Sequence, residues 1–259
     1  MSKLLNLNSD LGESFGPWKM GGDDAMLRIV NSANVACGFH ASDPLVMITT
    51  AALARDNGVS IGAHPGFPDL QGFGRRRMDI PLPELEAMVI YQIGALDACA
   101  RAQGIRVTHV KPHGAMSNIA CADRKIADAI VRAVYRLDPS LILLAPSASQ
   151  LAYAGNDKGL PVIEEIFADR AYLDDGNLVP RSQAGAMIHG PEASLQHVMR
   201  MVEESALISI NGKRIPVNPQ SICVHGDGAE AVATAQALRE GLLKAGYQLA
   251  TLPELVTAQ

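Results

Sequence analysis

No stretch of about 18 consecutive apolar residues occurs in the 259-residue chain, and its opening MSKLLNLNSD has no apolar signal-peptide core. A membrane span and export are therefore not expected, and a cytoplasmic location is. The four cysteines, Cys37, Cys99, Cys121 and Cys223, are scattered without a CxxC pair. That spacing fits free thiols in a reducing compartment better than a disulfide framework or a zinc cluster. Positive charge is also scarce: the formal net charge is -5, and the one basic run is Arg75 to Arg77. A nucleic-acid surface is not expected from that balance. There is no GxxxxGK[ST] loop, no GxGxxG after the first strand and no GxSxG elbow. Nucleotide binding is thus not written in any common local motif.

The composition that is present, 48% hydrophobic and 19% charged, is that of an ordinary globular protein. Short β-type runs alternate with helical patterns from end to end. Strands are expected at Leu4 to Asp10, Ala33 to Phe39, Val59 to His64, Val107 to His113, Leu141 to Ala145, Val162 to Ala168 and Ser221 to His225. Helical spacing marks Leu82 to Ala102, Asp123 to Tyr135 and Ala229 to Ala245. Asp43 before Pro44 has the form of an N-cap, and Gly58, Gly104 and Gly246 stand where helix C-caps belong. No linker composition interrupts the rhythm, so a single domain over residues 1–259 is expected. Leu173 to Pro219 is looser and has room for an added hairpin or helix.

Alternating strands and helices imply a parallel sheet, open or closed into a barrel. The strand faces decide between them. In LNLNSD, Asn6, Asn8 and Asp10 share one face and Leu5 and Leu7 the other. ANVACGFH puts Asn34, Ala36, Gly38 and His40 together. Ser60, Gly62 and His64 align likewise, as do His109, Lys111 and His113, and Ser221, Cys223, His225 and Asp227. Strands of an open sheet covered on both sides should be apolar on both faces. One apolar and one polar or small face, repeated, predicts an α/β fold: a (β/α) barrel of about seven parallel strands with a polar interior.

On this reading four strands end in histidine (His40, His64, His113, His225), and the first ends in Asp10 with Glu13 just beyond. The C-terminal ends of parallel strands form the active-site rim of such folds. One strand-end histidine is usually structural; four in phase with a polar interior point to a site. Lys111 shares the inward face of His113, where an ammonium needs a partner or an anionic ligand. Arg75, Arg170 and Arg181 are candidate anion clamps, since guanidinium geometry suits carboxylate and phosphate. Asn8, Asn34, His40, His225 and Asp227 are candidate substrate contacts. His109, His189 and His197 read as structural, and Cys37 and Cys223 as core or lining residues. Asp10, His40, His64 and His225 carry ligand atoms for a divalent metal, although no local ligand pair such as HxxxH supports one.

The blocks NSDLGESFG, SANVACGFHASDP, IGAHPGFPDLQGFGRR, YQIGAL, VKPHGA, EIFADRAY, LVPR and CVHGDG resemble those of the LamB/YcsF family. They occur in family order over nearly the whole chain. The resemblance implies a barrel of the glycoside hydrolase/deacetylase kind, often one strand short of eight. It also implies ATP-dependent opening of 5-oxoproline (pyroglutamate) to L-glutamate, with ATP cleaved to ADP and phosphate. The chain would be one component of a 5-oxoprolinase, working with subunits B and C, and a homo-oligomer is open. Asp10 or Glu13 is then the expected general base, His64 or His113 the proton donor or relay, and Lys111 the stabiliser of developing negative charge. Two alternatives compete: a metal-dependent amidase or deacetylase on a sugar or peptide, and a non-catalytic lactam-binding or regulatory subunit. Two departures from the family pattern stand out. Met116 and Ser117 replace the usual Leu-Tyr after KPHGA, and Ser9 stands where cysteine is common.

Overall fold

A computed structural model describes residues 4–226 and 230–258. The chain starts with β1 (Leu4–Leu11), α1 (Asp23–Leu27), β2 (Ser32–Ala36), α2 (Pro44–Asp56), β3 (Ser60–His64), α3 (Leu82–Ala102) and β4 (Val107–Val110). It continues through α4 (Gly114–Ala122), α5 (Arg124–Leu137), β5 (Ile142–Pro146), α6 (Gln150–Lys158) and β6 (Val162–Phe167). Then follow α7 (Pro191–Glu204), a hairpin of β7 (Ala206–Ile208) and β8 (Arg214–Pro216), β9 (Ser221–His225), α8 (Ala231–Lys244), β10 (Gln248–Leu249) and α9 (Leu252–Thr257).

Strands β1 to β6 pair in parallel in chain order, and β9 pairs with both β6 and β1. Among the described residues this makes a closed barrel of seven parallel strands, with helices around it. The looser region holds both features left open for it, α7 and the β7–β8 hairpin. Asp43 accepts from the backbone N–H groups of Leu45 and Val46 with Pro44 at the first helical position. Gly58, Gly104 and Gly246 each follow a helix with φ of +67°, +75° and +85°. That is the left-handed cap conformation, which costs glycine nothing.

Two strands are shorter than their sequence pattern. β2 stops at Ala36 because Gly38, at φ +91°, turns the chain, and its N–H donates to the Ala41 carbonyl. β4 stops at Val110, just before Pro112, which has no N–H for a ladder. His40 and His113 therefore sit in loops beyond the strands and not at strand ends.

The apolar faces pack outward onto the helices. α3 presents Leu85, Val89, Ile93, Leu96 and Ala100, spaced three or four apart, to the barrel and its neighbouring helices. Truncating one such leucine to alanine costs about 2–5 kcal/mol. The inward faces are wired by hydrogen bonds. Ser221 Oγ donates to Asn6 Oδ1 (2.7 Å), Asn8 Nδ2 donates to Ser221 Oγ (2.8 Å), and Asn6 Nδ2 donates to Ser32 Oγ (2.9 Å). His109 donates from Nε2 to Asn34 Oδ1 (3.0 Å), and its ring fills the space left by Gly62, where any Cβ would collide with the imidazole. The interior is not polar throughout. Ile142, Leu144 and Ile163 meet Leu252 and Leu255 of α9, an apolar plug at the N-terminal end of the barrel.

Candidate active site

Strand register brings the first carboxylate to its neighbours: Asp10 of β1 is paired with Asn34 of β2 and with His225 of β9. Asp10 and His225 lie at the C-terminal end of the barrel, with Asn34 buried just beneath them. There a cleft of about 590 Å³ opens, lined by Asp10, Glu13, His64, Lys111, His113 and His225, with Arg75, Arg170 and Arg181 in its walls.

The floor is an ion network around Lys111, which is 3% exposed. Its Nζ lies 3.0 Å from Asp10 Oδ1, 3.1 Å from Glu165 Oε2 and 3.0 Å from Cys223 Sγ. Burial works to raise the Asp10 pKa, but the opposing charges of His64 and Lys111 outweigh it and hold the carboxyl well below its usual range. Burial likewise works to lower Lys111, and the Asp10 and Glu165 carboxylates hold its pKa well above the ordinary value. For Glu165 burial prevails over Lys111, and its pKa is raised. Desolvation also raises the Cys223 thiol well above its usual value, so it is no nucleophile.

Beside this network stand three histidines. His64 Nδ1 lies 2.6 Å from the Lys111 carbonyl oxygen, which can only accept, so this nitrogen carries a hydrogen. The other ring nitrogen, Nε2, is 3.4 Å from Asp10 Oδ2 and 3.0 Å from His113 Nδ1. His113 Nε2 in turn donates to the Phe73 carbonyl (2.7 Å). His40 stacks face to face on His113 at 3.7 Å, and neither of its buried nitrogens has a hydrogen-bond partner among the described residues. Burial pushes the His40 and His113 pKa values well down. The loop after β3 presses on this group. A Cβ at Gly66 would sit 2.6 Å from His40 Nδ1, and one at Gly74, at φ +63°, 2.7 Å from His40 Cβ.

Across the cleft His225 is held by Asp169, whose Oδ1 and Oδ2 lie 2.9 and 2.8 Å from Nδ1. Its Nε2 faces Asp10 Oδ2 at 3.9 Å. Burial would raise the Asp169 pKa; His225 outweighs it, and the carboxyl stays low. Arg170 is buried, donates from Nη2 to the Val179 carbonyl and keeps an Nε with no partner among the described residues. Desolvation brings its pKa down to about 10. His197 supports it from behind, donating from Nε2 to the Arg170 carbonyl. Arg75 lies over the Phe73 ring at 4.9 Å, whereas Arg76 and Arg77 are engaged with Asp69 and Asp79.

Nine of the expected site residues thus meet at one cleft: Asp10, Glu13, His64, Arg75, Lys111, His113, Arg170, Arg181 and His225. Three substrate contacts need correction. Asn8 and Asn34 are wholly buried beneath Asp10, where Asn34 Nδ2 donates to Asn8 Oδ1 (2.8 Å) and Asp10 Oδ1 (2.9 Å). They orient the carboxylate from inside the barrel and do not reach the cleft. His40, 1% exposed, is stacked on His113 and is not among the residues lining the cleft. Asp227 lies outside the described residues. The metal set Asp10, His40, His64 and His225 is not one group either. Ligand atoms within 4.8 Å of one another fall instead into Glu13–His40–His64–His113 and Asp10–Cys223–His225. Sequence reasoning missed Glu165 and Asp169. Their signal was the alternation in IEEIFAD, which places Glu165, Phe167 and Asp169 in phase.

Comparison with known proteins is consistent over the whole chain. The LamB/YcsF family profile matches residues 5–257. A protein of Azoarcus sp. (strain BH72), named as the A subunit of 5-oxoprolinase, is 54% identical over 251 residues, covering 97% of this chain and 98% of that one. One of the same name from Bacillus subtilis (strain 168) is 49% identical over 250 residues, covering 96% and 97%. Among solved structures, the lactam utilization protein from Thermus thermophilus superposes with a TM-score of 0.90 at 42% identity, covering 97% of this chain and all of that one. The catalytic domain of a peptidoglycan N-acetylglucosamine deacetylase from Eubacterium rectale ATCC 33656 superposes with a TM-score of 0.53 at 12% identity, over 97% of this chain and 89% of that one; that likeness is one of fold alone. With the profile matched nearly end to end and relatives this similar over their full lengths, the chain belongs to the LamB/YcsF family.

Proposed function

We propose that this chain is the lactam-opening component of an ATP-dependent 5-oxoprolinase, working in the cytoplasm with partner subunits B and C. Relatives named as the A subunit of 5-oxoprolinase support a role in that enzyme. The observation that carries the chemistry is the Asp169–His225 pair, whose imidazole Nε2 faces the cleft floor opposite an ion-paired Asp10.

Amide resonance protects the carbonyl of a five-membered lactam. Transfer of the ATP γ-phosphoryl group to the lactam oxygen removes that protection and leaves an electrophilic ring carbon. Water then adds to this carbon, giving its proton to His225 Nε2, while Asp169 holds the imidazole in the accepting tautomer. His225 returns the proton to the ring nitrogen and, as the C–N bond breaks, takes up the proton of the newly added hydroxyl, leaving a free amine and a carbonyl that still carries the phosphoryl group. The resulting acyl phosphate is hydrolysed by a second water to L-glutamate and phosphate. Asp10, one of the two bases expected from the sequence, is made a weak one by its ion pair with Lys111. Its role here is to hold Lys111 and His64 in place, with Lys111 facing the negative charge that develops on oxygen. Glu13, at the cleft wall, holds the attacking water. The substrate carboxylate and the phosphoryl group require cations, which Arg75, Arg170 and Arg181 supply from three sides. The first turn of α4, starting at Gly114 in the cleft wall, adds the positive end of a helix.

The deciding experiment measures glutamate released from 5-oxoproline and ATP by this chain alone, by subunits B and C alone, and by all three. Turnover only in the complete mixture, lost again with Asp10→Asn in a chain of unchanged circular dichroism, supports the assignment. Undiminished turnover by B and C alone moves the chemistry to them and leaves this barrel a binding or regulatory subunit. Glutamate release by this chain without ATP would favour the metal-dependent amidase instead.

A further inference from the structure

The His64–His113 contact poses a problem of hydrogen counting. His64 Nδ1 donates to the Lys111 carbonyl and His113 Nε2 donates to the Phe73 carbonyl. In neutral imidazoles the two remaining nitrogens, 3.0 Å apart, would then both present lone pairs to each other. Something positive must lie between them: a proton or a metal cation. Three observations favour the metal. Histidine ligands of metals almost always donate their other N–H to a carbonyl or carboxylate, as both of these rings do. Glu13, buried at the cleft edge, brings a carboxylate oxygen within 4.8 Å of one ring nitrogen each of His40, His64 and His113. His40 adds a third imidazole with two buried nitrogens that have no hydrogen-bond partner among the described residues, a costly arrangement unless one of them has a ligand.

We propose that His64 Nε2, His113 Nδ1, Glu13 and His40 form a binding site for one divalent transition-metal ion. Imidazole nitrogens with one carboxylate oxygen are a donor set for Zn²⁺. His40 now lies parallel to His113, so its nitrogen joins by rotation of an imidazole that has no hydrogen bonds to the described residues to give up. The neighbouring Asp10–Cys223–His225 group does not compete. The Lys111 ammonium already lies 3.0 Å from both Asp10 Oδ1 and Cys223 Sγ, and a dication there would meet that charge. The site goes beyond the lactam reading and does not depend on it, because occupancy is measured without substrate.

The test is titration of the chelator-stripped full chain with Zn²⁺ by calorimetry, and with Co²⁺ by visible absorption. One equivalent of Zn²⁺ should bind, and Co²⁺ should give d–d bands without a thiolate charge-transfer band. His64→Gln and His113→Gln should each weaken binding by roughly 100-fold or more, and Glu13→Gln and His40→Ala by roughly 10- to 100-fold, while His189→Ala changes nothing. Circular dichroism checks that each variant is folded. The wild-type titration needs no variant: failure to bind a stoichiometric ion assigns the gap to a shared proton and overturns the proposal. A thiolate band, or binding unchanged in His113→Gln, would overturn it equally by placing the ion at Cys223.

Discussion

Replacing Lys111 with methionine should expose how much of this barrel depends on one buried charge. The side chain sits among Asp10, Glu165 and Cys223, and the two carboxylates are 5% and 1% exposed. Asp10 would keep Asn34 and His64 as partners. Among the described residues Glu165 would keep only a long contact from Asn8 Nδ2 (3.4 Å). Removing one partner of a buried pair costs about 3–5 kcal/mol. For a chain of this size that corresponds to a fall in Tm on the order of 10 °C. Without Lys111 the already raised Glu165 pKa rises further, so the folded state holds a proton that the unfolded chain releases. The deficit should therefore be full above that raised pKa and shrink as pH falls toward the ordinary carboxylate range. Adding Glu165→Gln removes the stranded charge and should restore at least about half of the loss, while turnover stays abolished in both variants. Urea unfolding of the single and double variants at two pH values measures all of this. A loss below about 1 kcal/mol for Lys111→Met, or no recovery on adding Glu165→Gln, would refute the network as drawn.

Asp169→Ala frees His225 to change tautomer and should lower kcat of the complete enzyme by roughly 10²–10⁴-fold with little change in KM; an unchanged kcat would remove His225 from proton transfer. Ser117 is half-buried in the cleft wall, at the position where the resemblance leads one to expect tyrosine, so Ser117→Tyr should narrow the cleft and shift KM for 5-oxoproline while leaving the Tm unchanged. His109 is held neutral mainly by burial, with a pKa brought down to about 3. In the unfolded chain it titrates near 6.5, so acidification below that value protonates only the unfolded state, and stability falls by about 1.4 kcal/mol per pH unit. His109→Gln should flatten the urea-midpoint profile between pH 7 and pH 5 by about 2 kcal/mol, and parallel profiles would contradict the assignment.

The barrel was legible because its signal is repeated. Five of the seven strands showed a small or polar residue every second position, and closure through β9 places them on one interior. The convergence of Asp10, Lys111, His64 and His225 followed from that phase alone. What failed was the continuation of the phase past the strands. Gly38 and Pro112 end the ladders, and alternation loses its meaning beyond them, so His40 fell behind His113 instead of beside the substrate. Asn8 and Asn34 failed for another reason: an inward-facing residue in a barrel can belong to the floor or to the layer beneath it, and depth is fixed by stagger between strands. Glu165 was hidden because IEEIF reads as an ordinary apolar strand carrying one charge to each side, and only pairing with Lys111 shows that one of those charges is buried.

Depth also explains why so polar an interior is kept. An apolar barrel would be the cheaper core, since buried ion pairs are often matched or bettered by hydrophobic replacements. Here the layers run from the α9 plug, through Asn6, Ser32 and Ser221, to Asn8, Asn34 and His109, and then to Asp10 and Lys111. Each layer fixes the one above by hydrogen bonds between short side chains with few rotamers. Asp10 therefore meets the cleft with its Oδ1 already bound by Asn34 and Lys111 and only Oδ2 turned toward His64 and His225. A charge held in this way needs no reorganisation when substrate arrives, which is the condition under which electrostatic stabilisation of a transition state is strongest. The polar column is best understood as the support of the site, and its effect should be sought in kcat before Tm.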